Sequence, residues 1–323
     1  MSRAFVVRET GGPDKMQLEE REVGAPGPGQ IRVRNKAIGV NFVDVYQRDG
    51  HYKVDLPFVP GNEGAGEVVA AGEGVTEFKP GDRVGYTGPV GAYADERLLP
   101  AGRAFSLPEG IDFETAAAVM LKGGTAHYLL FETHAVKPAE TILVHAAAGG
   151  VGSILAQWAT ALGVRVIGTA GSDEKVALAR ASGCDPAINY RTTDWVKAAR
   201  EATGGRGVDV VYDGVGKATW DGSLDCLRPR GLMVSYGSAS GYVTVPNLTV
   251  LATKGSLYVT RPTTGSYHAS TAELRASMTA TFEALLSGKF RVAINQRFPL
   301  AEAPEAHRAL EARQTTGSSL LIP

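Results

Sequence analysis

The chain has 323 residues, 40 of them glycine, and its 33 Lys and Arg against 34 Asp and Glu give a net charge of −1. A single hydrophobic core seldom grows beyond about 300 residues, so this length favours two domains. The nearly neutral charge argues against a protein that binds nucleic acid through counterion release. The two cysteines, Cys184 and Cys226, exclude a disulfide framework and fit a reducing, cytoplasmic location.

Residues 141–164 contain no Lys, Arg, Asp or Glu, and a hydropathy plot alone would suggest a membrane span there. However, glycines stand at positions 149, 150, 152 and 163, and polar residues accompany them. We therefore predict a strand, a glycine turn and a helix in this stretch rather than a membrane-spanning segment.

Residues 1–110 contain short apolar runs bounded by turn sequences such as GGP, PGPG and KPGD. This pattern is typical of a β-rich, partly barrel-like domain. Strands are predicted over residues 3–8, 16–22, 31–38, 67–71, 83–86 and 93–99.

The pattern changes near residue 113, where a helix is predicted over residues 113–130 and strands then alternate with helices. Strands are predicted over residues 141–145, 165–169, 187–190, 208–212, 232–236 and 256–259, and helices over residues 150–162, 173–182, 193–202 and 218–227. This alternation predicts a doubly wound parallel sheet. Two helices, 271–286 and 302–311, and a strand near 319–322 follow. We expect them to return to the first domain, so that the parallel sheet is an insertion.

The strongest functional signal is the sequence TILVHAAAGGVG at residues 141–152, in which a short apolar strand enters a glycine turn that opens a helix. In register with the dinucleotide-binding pattern GxGxxG, alanine replaces the first glycine. Small residues let the backbone approach a pyrophosphate, which the N–H groups of the helix N-terminus bind. We predict a dinucleotide site over Ala147, Gly149, Gly150, Val151 and Gly152, although such a turn also serves a plain structural role in other proteins.

The end of the second strand in this series distinguishes between the two nicotinamide cofactors. NAD-binding proteins of this type place an acidic residue about 20 residues after the turn, where it binds the ribose hydroxyls. Here Gly171 and Ser172 leave room for a 2′-phosphate, and Lys175 supplies a positive charge. These residues predict NADPH. The alternative is that Ser172 is a helix N-cap, that Asp173 and Glu174 complement the helix dipole and that Lys175 is only solvated. Asp173 or Glu174 could also bend back to a ribose, as in an NAD site.

Several segments combine into one pattern: residues 39–52 (GVNFVDVYQRDGHY), 60–66 (PGNEGAG), 146–152 (AAAGGVG), 171–175 (GSDEK) with 188–190 (INY), 260–262 (TRP) and 316–320 (TGSSL). Over essentially the whole chain they resemble the medium-chain dehydrogenase/reductase superfamily, and specifically its zinc-independent quinone oxidoreductases. The resemblance implies a Rossmann NADPH-binding domain over residues 123–264, inserted in a β-rich GroES-like catalytic domain formed by residues 1–122 and 265–323.

Zinc alcohol dehydrogenases of this superfamily have Cys and His ligands in two of these segments, where this chain has Asn41 and Asn62. No cysteine lies near Lys122 to provide a third ligand, and two cysteines cannot form a four-cysteine structural zinc site. We therefore predict no metal. Without a Lewis acid, the expected acceptor is a quinone or an activated alkene, which takes a hydride directly from NADPH.

The resemblance places Asn41, Tyr46 and Tyr52 beside the nicotinamide. There, an amide and two hydroxyls can orient an acceptor oxygen and stabilise developing negative charge. From the residues alone, Asn41 fits equally well as the N-cap of a short helix, and the two tyrosines fit as packing residues.

Further cofactor contacts are expected where the other parallel strands end. Tyr190 follows the third strand and can stack on adenine or reach the phosphate. The turns after the fourth and fifth strands contain Gly214, Ser235 and Gly237. The resemblance adds Arg261 and Ser318 on the cofactor side.

These observations favour an NADPH:quinone oxidoreductase. The alternative on the same fold is a 2-alkenal or enoyl-thioester reductase. A non-catalytic nucleotide- or RNA-binding protein is disfavoured, since the net charge is −1. The apolar, uncharged edge strand 256–259 is expected to pair with its copy in a homodimer.

Overall fold

The computed structural model describes residues 1–245 and 247–323. Its strands are β1 (Ser2–Val7), β2 (Met16–Arg21), β3 (Gln30–Val40), β4 (Glu63–Ala71), β5 (Arg83–Thr87), β6 (Glu96–Pro100), β7 (Ala104–Ser106), β8 (Thr141–Val144), β9 (Arg165–Ala170), β10 (Cys184–Asn189), β11 (Val208–Asp213), β12 (Leu227–Ser235), β13 (Tyr258–Thr260), β14 (Ile294–Pro299) and β15 (Ser318–Ile322). Its helices are α1 (Phe42–Arg48), α2 (Phe113–Tyr128), α3 (Gly150–Ala161), α4 (Asp173–Ala181), α5 (Trp195–Ala202), α6 (Trp220–Cys226), α7 (Thr249–Thr253), α8 (Thr264–Tyr267), α9 (Thr271–Leu286) and α10 (Ala303–Glu311).

The chain divides into two compact units. The first unit comprises Met1–Gly124, Ser270–Phe282 and Val292–Pro323, and the second comprises Thr125–Ala269 and Glu283–Arg291. Within residues 1–245 and 247–323, no helix has the length and apolar character that crossing a bilayer requires.

The first unit contains a seven-stranded sheet built around β3. The strand order is β14-β15-β3-β4-β5-β7, and β6 also pairs with β3. Buried residues alternate with more exposed ones from Ile31 to Ala37, because one face of the sheet packs on the core and the other meets solvent. Strand β15 pairs with β3, with Leu320 opposite Gly39. The C-terminal residues therefore complete a sheet that begins near the N-terminus.

The second unit contains a six-stranded parallel sheet with the strand order β10-β9-β8-β11-β12-β13. Every residue of β8 and β11 is buried, as expected for central parallel strands covered on both faces. The strand order reverses between these two strands, and parallel sheets bind ligands at the carboxyl ends of the strands at such a point. The predicted fold class, a parallel sheet inserted in a β-rich domain, is confirmed.

Some elements differ from those predicted. The strand predicted over residues 93–99 begins at Glu96, because the backbone before it bonds to β1: the Tyr93 carbonyl accepts from Phe5 N at 2.9 Å. The helix predicted over residues 113–130 ends at Tyr128 and continues as a π-helical turn over Leu129–Thr133. Strand β13 lies slightly later than the predicted strand 256–259, and β7 and β14 were not predicted.

Candidate active site

The glycine turn of the second unit connects β8 to α3. Ala146 has a φ of 51°, in the left-handed region, and its carbonyl accepts a hydrogen bond from Gly149 N at 2.8 Å. A Cβ atom at Gly152 would overlap the same carbonyl oxygen. Glycine at position 152 therefore lets helix α3 pack directly on the turn, as the sequence pattern predicts.

The N-terminus of α3 has the properties of an anion site. Its N-cap, Gly149, has no side chain to bond the first N–H groups, and the first turn contains no acidic residue. Gly150 and Val151, which open the helix, are partly exposed. Ala147 is fully buried, and its N–H donates to the Thr169 carbonyl at 3.0 Å, which holds the turn against β9. This arrangement fits a dinucleotide pyrophosphate.

A second group of predicted residues meets at the ends of β9 and β10. A Cβ atom at Gly171 would overlap the Tyr190 hydroxyl, so the phenol lies directly against the glycine. The Ser172 hydroxyl caps α4 by accepting from Lys175 N at 3.3 Å. Asp173 Oδ1 accepts from Asn189 Nδ2 at 2.7 Å. The N-cap interpretation of Ser172 is therefore confirmed, and the Asp173 carboxylate already bonds an amide.

A third group lies after β11 and β12. A Cβ atom at Gly237 would overlap the Gly214 carbonyl oxygen, so the two turns touch. Arg261 Nη1 donates to the carbonyl oxygens of Ser235 at 2.8 Å and Gly237 at 2.7 Å. The structure thus brings Gly214, Ser235, Gly237 and Arg261 together, and the guanidinium holds the β12 turn in place.

Asp213, at the end of β11, is not among the site residues predicted from the sequence. Its Oδ1 accepts from the backbone N–H groups of Val215 at 2.7 Å and Gly216 at 3.0 Å. Its Oδ2 accepts from the hydroxyls of Thr219 at 2.6 Å and Ser223 at 3.1 Å. The carboxylate therefore shapes the β11 turn. The available signal was a carboxylate that directly follows a buried strand and precedes a glycine.

His145 links this carboxylate to β9. Its Nε2 lies 2.9 Å from Ser223 Oγ, and its Nδ1 lies 2.8 Å from Thr169 Oγ1. Because the Ser223 hydroxyl donates to Asp213, it accepts from His145; Nε2 therefore carries the proton and Nδ1 accepts from Thr169. Burial lowers the pKa of His145, which agrees with a neutral ring.

In the first unit, Asn41 is the N-cap of α1, which confirms that alternative for this residue. Its backbone N–H donates to Asp44 Oδ2 at 2.9 Å. Its side-chain Nδ2 donates to Glu63 Oε1 at 2.8 Å, and Lys122 Nζ lies 3.0 Å from the same oxygen. Asn41 is thus both a cap and part of a buried charged cluster. Asp44 and Glu63 were not assigned a role from the sequence, although both lie inside the motifs that carry the resemblance.

Asp44 is also one end of a series of buried, hydrogen-bonded side chains. It accepts from Asn62 Nδ2 at 2.6 Å and from the Tyr93 hydroxyl at 3.1 Å. Tyr93 Oη lies 2.9 Å from His307 Nε2, and Arg48 Nη1 lies 3.2 Å from His307 Nδ1. An arginine only donates and a carboxylate only accepts, so every proton in this series points from Arg48 towards Asp44.

Two pKa values in this series depart strongly from their ordinary positions. Burial raises the pKa of Asp44 to about 6, although the hydrogen bonds from Asn62, Asn41 and Tyr93 act against the rise. Burial and then the positive charge of Arg48 lower the pKa of His307 to about 3. The histidine is therefore neutral at physiological pH, as the direction of its hydrogen bonds requires.

The predicted tyrosines lie in one aromatic group on and after α1. The ring centroids of Tyr46 and Tyr52 are 5.3 Å apart in an edge-to-face arrangement, and Tyr52 N donates to the Tyr46 carbonyl at 2.7 Å. The Tyr46 ring also stacks against His51, with centroids 5.9 Å apart. Tyr46 is buried and Tyr52 is partly exposed. Both tyrosines therefore pack through their rings. A role of their hydroxyls in catalysis stays a prediction.

Two family models match the chain: an alcohol dehydrogenase GroES-like domain over residues 27–141 and a zinc-binding dehydrogenase over residues 150–280. The chain is 53% identical to a quinone oxidoreductase of Pseudomonas aeruginosa, over 100% of both chains. It is 47% identical to a 2-haloacrylate reductase of Burkholderia sp., over 100% of this chain and 99% of the relative. A solved structure of Escherichia coli quinone oxidoreductase complexed with NADPH matches with a TM-score of 0.97 and 47% identity, over 100% of both chains.

The chain belongs to the quinone oxidoreductases of the medium-chain dehydrogenase/reductase superfamily. The family predicted from the sequence motifs is confirmed.

In this member of the quinone oxidoreductase family, the side chains in the segments that resemble zinc-ligand segments bind other protein groups. Asn41 and Lys122 bind Glu63, and Asn62 donates to Asp44 and, at 2.7 Å, to Gln47 Oε1. In the described ranges, 1–245 and 247–323, no group of three His, Cys, Asp or Glu side chains is arranged to hold a metal ion. The absence of a metal stays a prediction.

Ser318 has a structural partner. It is 1% exposed, and its hydroxyl donates to the Ala118 carbonyl at 2.9 Å in the first unit. A role of Ser318 on the cofactor side stays a prediction. The two cysteines are also buried, and burial raises the pKa of the Cys184 and Cys226 thiols to about 12, so neither thiol is a ready nucleophile.

Proposed function

We propose that this protein is an NADPH:quinone oxidoreductase that works without a metal ion. The observation that carries the proposal is the match, over the whole of both chains, to a quinone oxidoreductase solved in complex with NADPH. In the two segments where related zinc dehydrogenases have ligands, this chain has the amides of Asn41 and Asn62, and it has no cysteine near Lys122. Amides and an ammonium are poor ligands for zinc. This supports a mechanism in which hydrogen bonds replace the Lewis acid.

Bound NADPH supplies the hydride in such a reaction. The N–H groups of Gly150, Val151 and Gly152 would hold the pyrophosphate at the N-terminus of α3. Ser172 and Lys175 would hold the 2′-phosphate, with Tyr190 packed against Gly171 beside them. This assignment is supported by the Asp173 carboxylate, which is bonded to Asn189 rather than directed at a ribose.

The turns after β11 and β12 would position the ribose and nicotinamide. The turn at Gly214 is in contact with the turn at Ser235 and Gly237. Asp213 holds the first turn and Arg261 holds the second through the hydrogen bonds described above. In this assignment Arg261 acts on the cofactor through the backbone of the β12 turn.

In the first unit, Asn41 would donate an N–H to the acceptor oxygen, and the hydroxyls of Tyr46 and Tyr52 would assist it. A quinone accepts a hydride as an electron-poor acceptor and develops negative charge on oxygen. Fixed donors that face this oxygen stabilise that charge and need no reorganisation during the reaction.

A second candidate function is the reduction of an activated alkene. It is favoured by the 47% identity to a 2-haloacrylate reductase over essentially the whole chain. The same cofactor residues and the same oriented donors would serve, because a conjugated carboxylate or carbonyl also develops negative charge on oxygen when hydride adds to the alkene.

The test is NADPH oxidation followed by absorbance, using protein treated with EDTA. A small quinone, 2-chloroacrylate and a crotonyl thioester are compared as acceptors. Turnover with the quinone supports the proposal, and turnover with an alkene alone moves the function to alkene reduction. Activity that EDTA abolishes and added zinc restores would contradict a metal-independent mechanism.

We also propose that β13 pairs with its copy in a homodimer. It is the edge strand of the parallel sheet, and Tyr258 is 63% exposed and Val259 38% exposed. An exposed apolar edge is otherwise prone to aggregation. Light scattering is expected to give twice the monomer mass for the wild type, and Val259→Pro is expected to yield monomers. A wild-type monomer would contradict the proposal.

We propose a cytoplasmic location and no nucleic-acid partner. Both cysteines are free and the net charge is −1, and these facts support a reducing compartment and a neutral surface. Retention of single-stranded RNA at physiological salt in a filter-binding assay would overturn the second statement.

A further inference from the structure

The Glu63 carboxylate is completely buried in the first unit and binds three donors. Asn41 Nδ2 donates to Oε1 at 2.8 Å, Lys122 Nζ lies 3.0 Å from the same oxygen, and Leu121 N donates to Oε2 at 2.7 Å. The side chains of Glu63 and Lys122 are 0% and 6% exposed. A buried ion pair costs desolvation, so its contribution to stability alone does not explain its presence.

The surrounding backbone leaves space for this carboxylate. A Cβ atom at Gly39 would overlap both Glu63 Oε1 and the Ala117 carbonyl oxygen. Gly39 belongs to β3, Glu63 begins β4, and Lys122 lies on α2. Three elements of the first unit therefore meet around one negative charge, and the side chain bound to that charge besides Lys122 is Asn41.

The carboxylate determines the orientation of the Asn41 amide. A carboxylate oxygen only accepts hydrogen bonds, so the end of the amide that faces Glu63 is the nitrogen. The amide oxygen and the second N–H then have fixed directions. If the amide were reversed, an oxygen would replace the N–H wherever that nitrogen now offers a donor, and it would repel negative charge there.

We propose that Glu63 and Lys122 are positioning residues for the reaction and act through Asn41. Glu63 holds the nitrogen end of the amide, and Lys122 compensates the buried negative charge that makes Glu63 a pure acceptor. This inference rests on the proposed function, in which Asn41 donates to the acceptor oxygen.

A double-mutant cycle tests whether Lys122 acts through Asn41. The variants are Lys122→Met, Asn41→Ala and both together, and the readouts are kcat for the quinone at saturating NADPH and the Kd of NADPH. Each single change is expected to lower kcat roughly tenfold or more, as the loss of an oriented donor does. The kcat of the double variant is expected to lie within about twofold of that of Asn41→Ala, since Lys122 has no further effect once the Asn41 amide is absent. An equal loss from Lys122→Met in both backgrounds would overturn the inference.

A second variant avoids an uncompensated buried charge. Glu63→Gln with Lys122→Met removes both charges, and a glutamine amide can face Asn41 by either end. Thermal unfolding by circular dichroism identifies the folded fraction. The expected result is a folded protein with unchanged NADPH affinity and a roughly tenfold loss of kcat. Wild-type turnover by this folded variant would overturn the inference.

The matched control is a Lys–Glu pair on the surface of the same sheet. Lys36 Nζ lies 3.4 Å from Glu67 Oε2, and these side chains are 41% and 40% exposed. Lys36→Met with Glu67→Gln is expected to keep wild-type kcat. If the wild type reduces none of the tested acceptors, the proposed function fails and this inference fails with it. If the wild type is active and the cycle is additive, this inference alone fails.

Discussion

In the second unit, the glycine turn to which we assign the pyrophosphate lies within residues 146–152, and the groups it offers are backbone N–H and C=O. In the first unit, Asn41 meets Glu63 across 22 positions, Lys122 meets Glu63 across 59, and Tyr93 meets His307 across 214. One site is built from a local backbone conformation, and the other from buried side chains that only the complete fold brings together. We expect the glycine turn to be perturbed by added side-chain bulk at single glycines. We expect the buried side chains of the first unit to be perturbed by changes of charge and of pH.

The largest expected effect concerns His307, which lies between Arg48 and Tyr93 in the buried hydrogen-bonded series of the first unit. The unfolded chain binds a proton at His307 near pH 6.5, whereas the folded chain does so only near pH 3. The free energy of unfolding therefore falls as the pH drops through this window, by about 3 kcal/mol between pH 7 and pH 4 from this residue. The pKa of Asp44 is raised to about 6, so the folded chain binds a proton there before the unfolded chain does. Below pH 6 this residue therefore raises the free energy of unfolding and partly offsets the effect of His307.

Chemical unfolding of the wild type and His307→Gln at several pH values between 4 and 7 measures this contribution. The difference in unfolding free energy between the two proteins is expected to change by about 3 kcal/mol across the range. His134→Gln, at a partly exposed histidine 3.0 Å from Glu140 in the second unit, is the control. The same pH dependence in wild type and His307→Gln would show that folding does not lower the pKa of His307.

A smaller effect is expected at the glycine turn of the second unit. In Gly152→Val, the new side chain overlaps the Ala146 carbonyl, so α3 must move away from the turn. Overpacking of this kind costs about 1–3 kcal/mol, and the Kd of NADPH is expected to rise by roughly 100-fold. Fluorescence titration with NADPH measures this.

The matched control is Gly149→Ala. Its Cβ atom would lie 3.1 Å from the Ala146 oxygen, a distance that a small shift relieves. We expect its Kd to rise less than about tenfold. Equal losses in the two variants would mean that the turn binds the cofactor through something other than the close approach of α3.

The two regions also differ in how far the sequence predicts them. The glycine turn and the alternation of β8 to β12 with their helices were predictable, because apolar periodicity and small residues reflect local geometry. The contact between the turns that contain Gly214 and Gly237 follows from that pattern once the strands are parallel. The Ser172 cap follows from a serine placed directly before a helix.

The rest depended on long-range contacts or on weak patterns. Strand β14 has the sequence INQRFP and no fully buried residue, so it shows no apolar alternation. Strand β7 has three residues, too few for a periodic signal. Glu63 and Lys122 give no sign of pairing in the sequence, because charged residues are usually solvated. Glu63 and Lys122 meet only in the folded protein, where Leu121 N and Lys122 Nζ of α2 bind the Glu63 carboxylate.

A modest effect is expected for the choice of cofactor. Lys175→Ala removes the charge assigned to the 2′-phosphate, so the KM for NADPH is expected to rise roughly tenfold. The KM for NADH, which has no such phosphate, is expected to stay within about twofold. Steady-state kinetics with both cofactors measure this difference. Lys197→Ala, at a 72% exposed lysine on α5, is the control. Equal changes for the two cofactors would remove Lys175 from the site.

The smallest effect is expected from the tyrosine hydroxyls of the first unit. Tyr46→Phe and Tyr52→Phe keep the ring contacts, whose centroids are 5.3 Å apart, and remove only the O–H groups. If the hydroxyls assist Asn41, kcat for the quinone is expected to fall roughly threefold to tenfold in each variant, with the Kd of NADPH unchanged. Stopped-flow single-turnover rates separate this chemical step from product release. Because Tyr46 is buried and Tyr52 is partly exposed, a loss in Tyr52→Phe alone would assign Tyr46 to packing. Unchanged rates in both variants would leave the oriented Asn41 amide as the donor in the first unit, and the reaction would then depend on the Glu63–Lys122 pair that holds it.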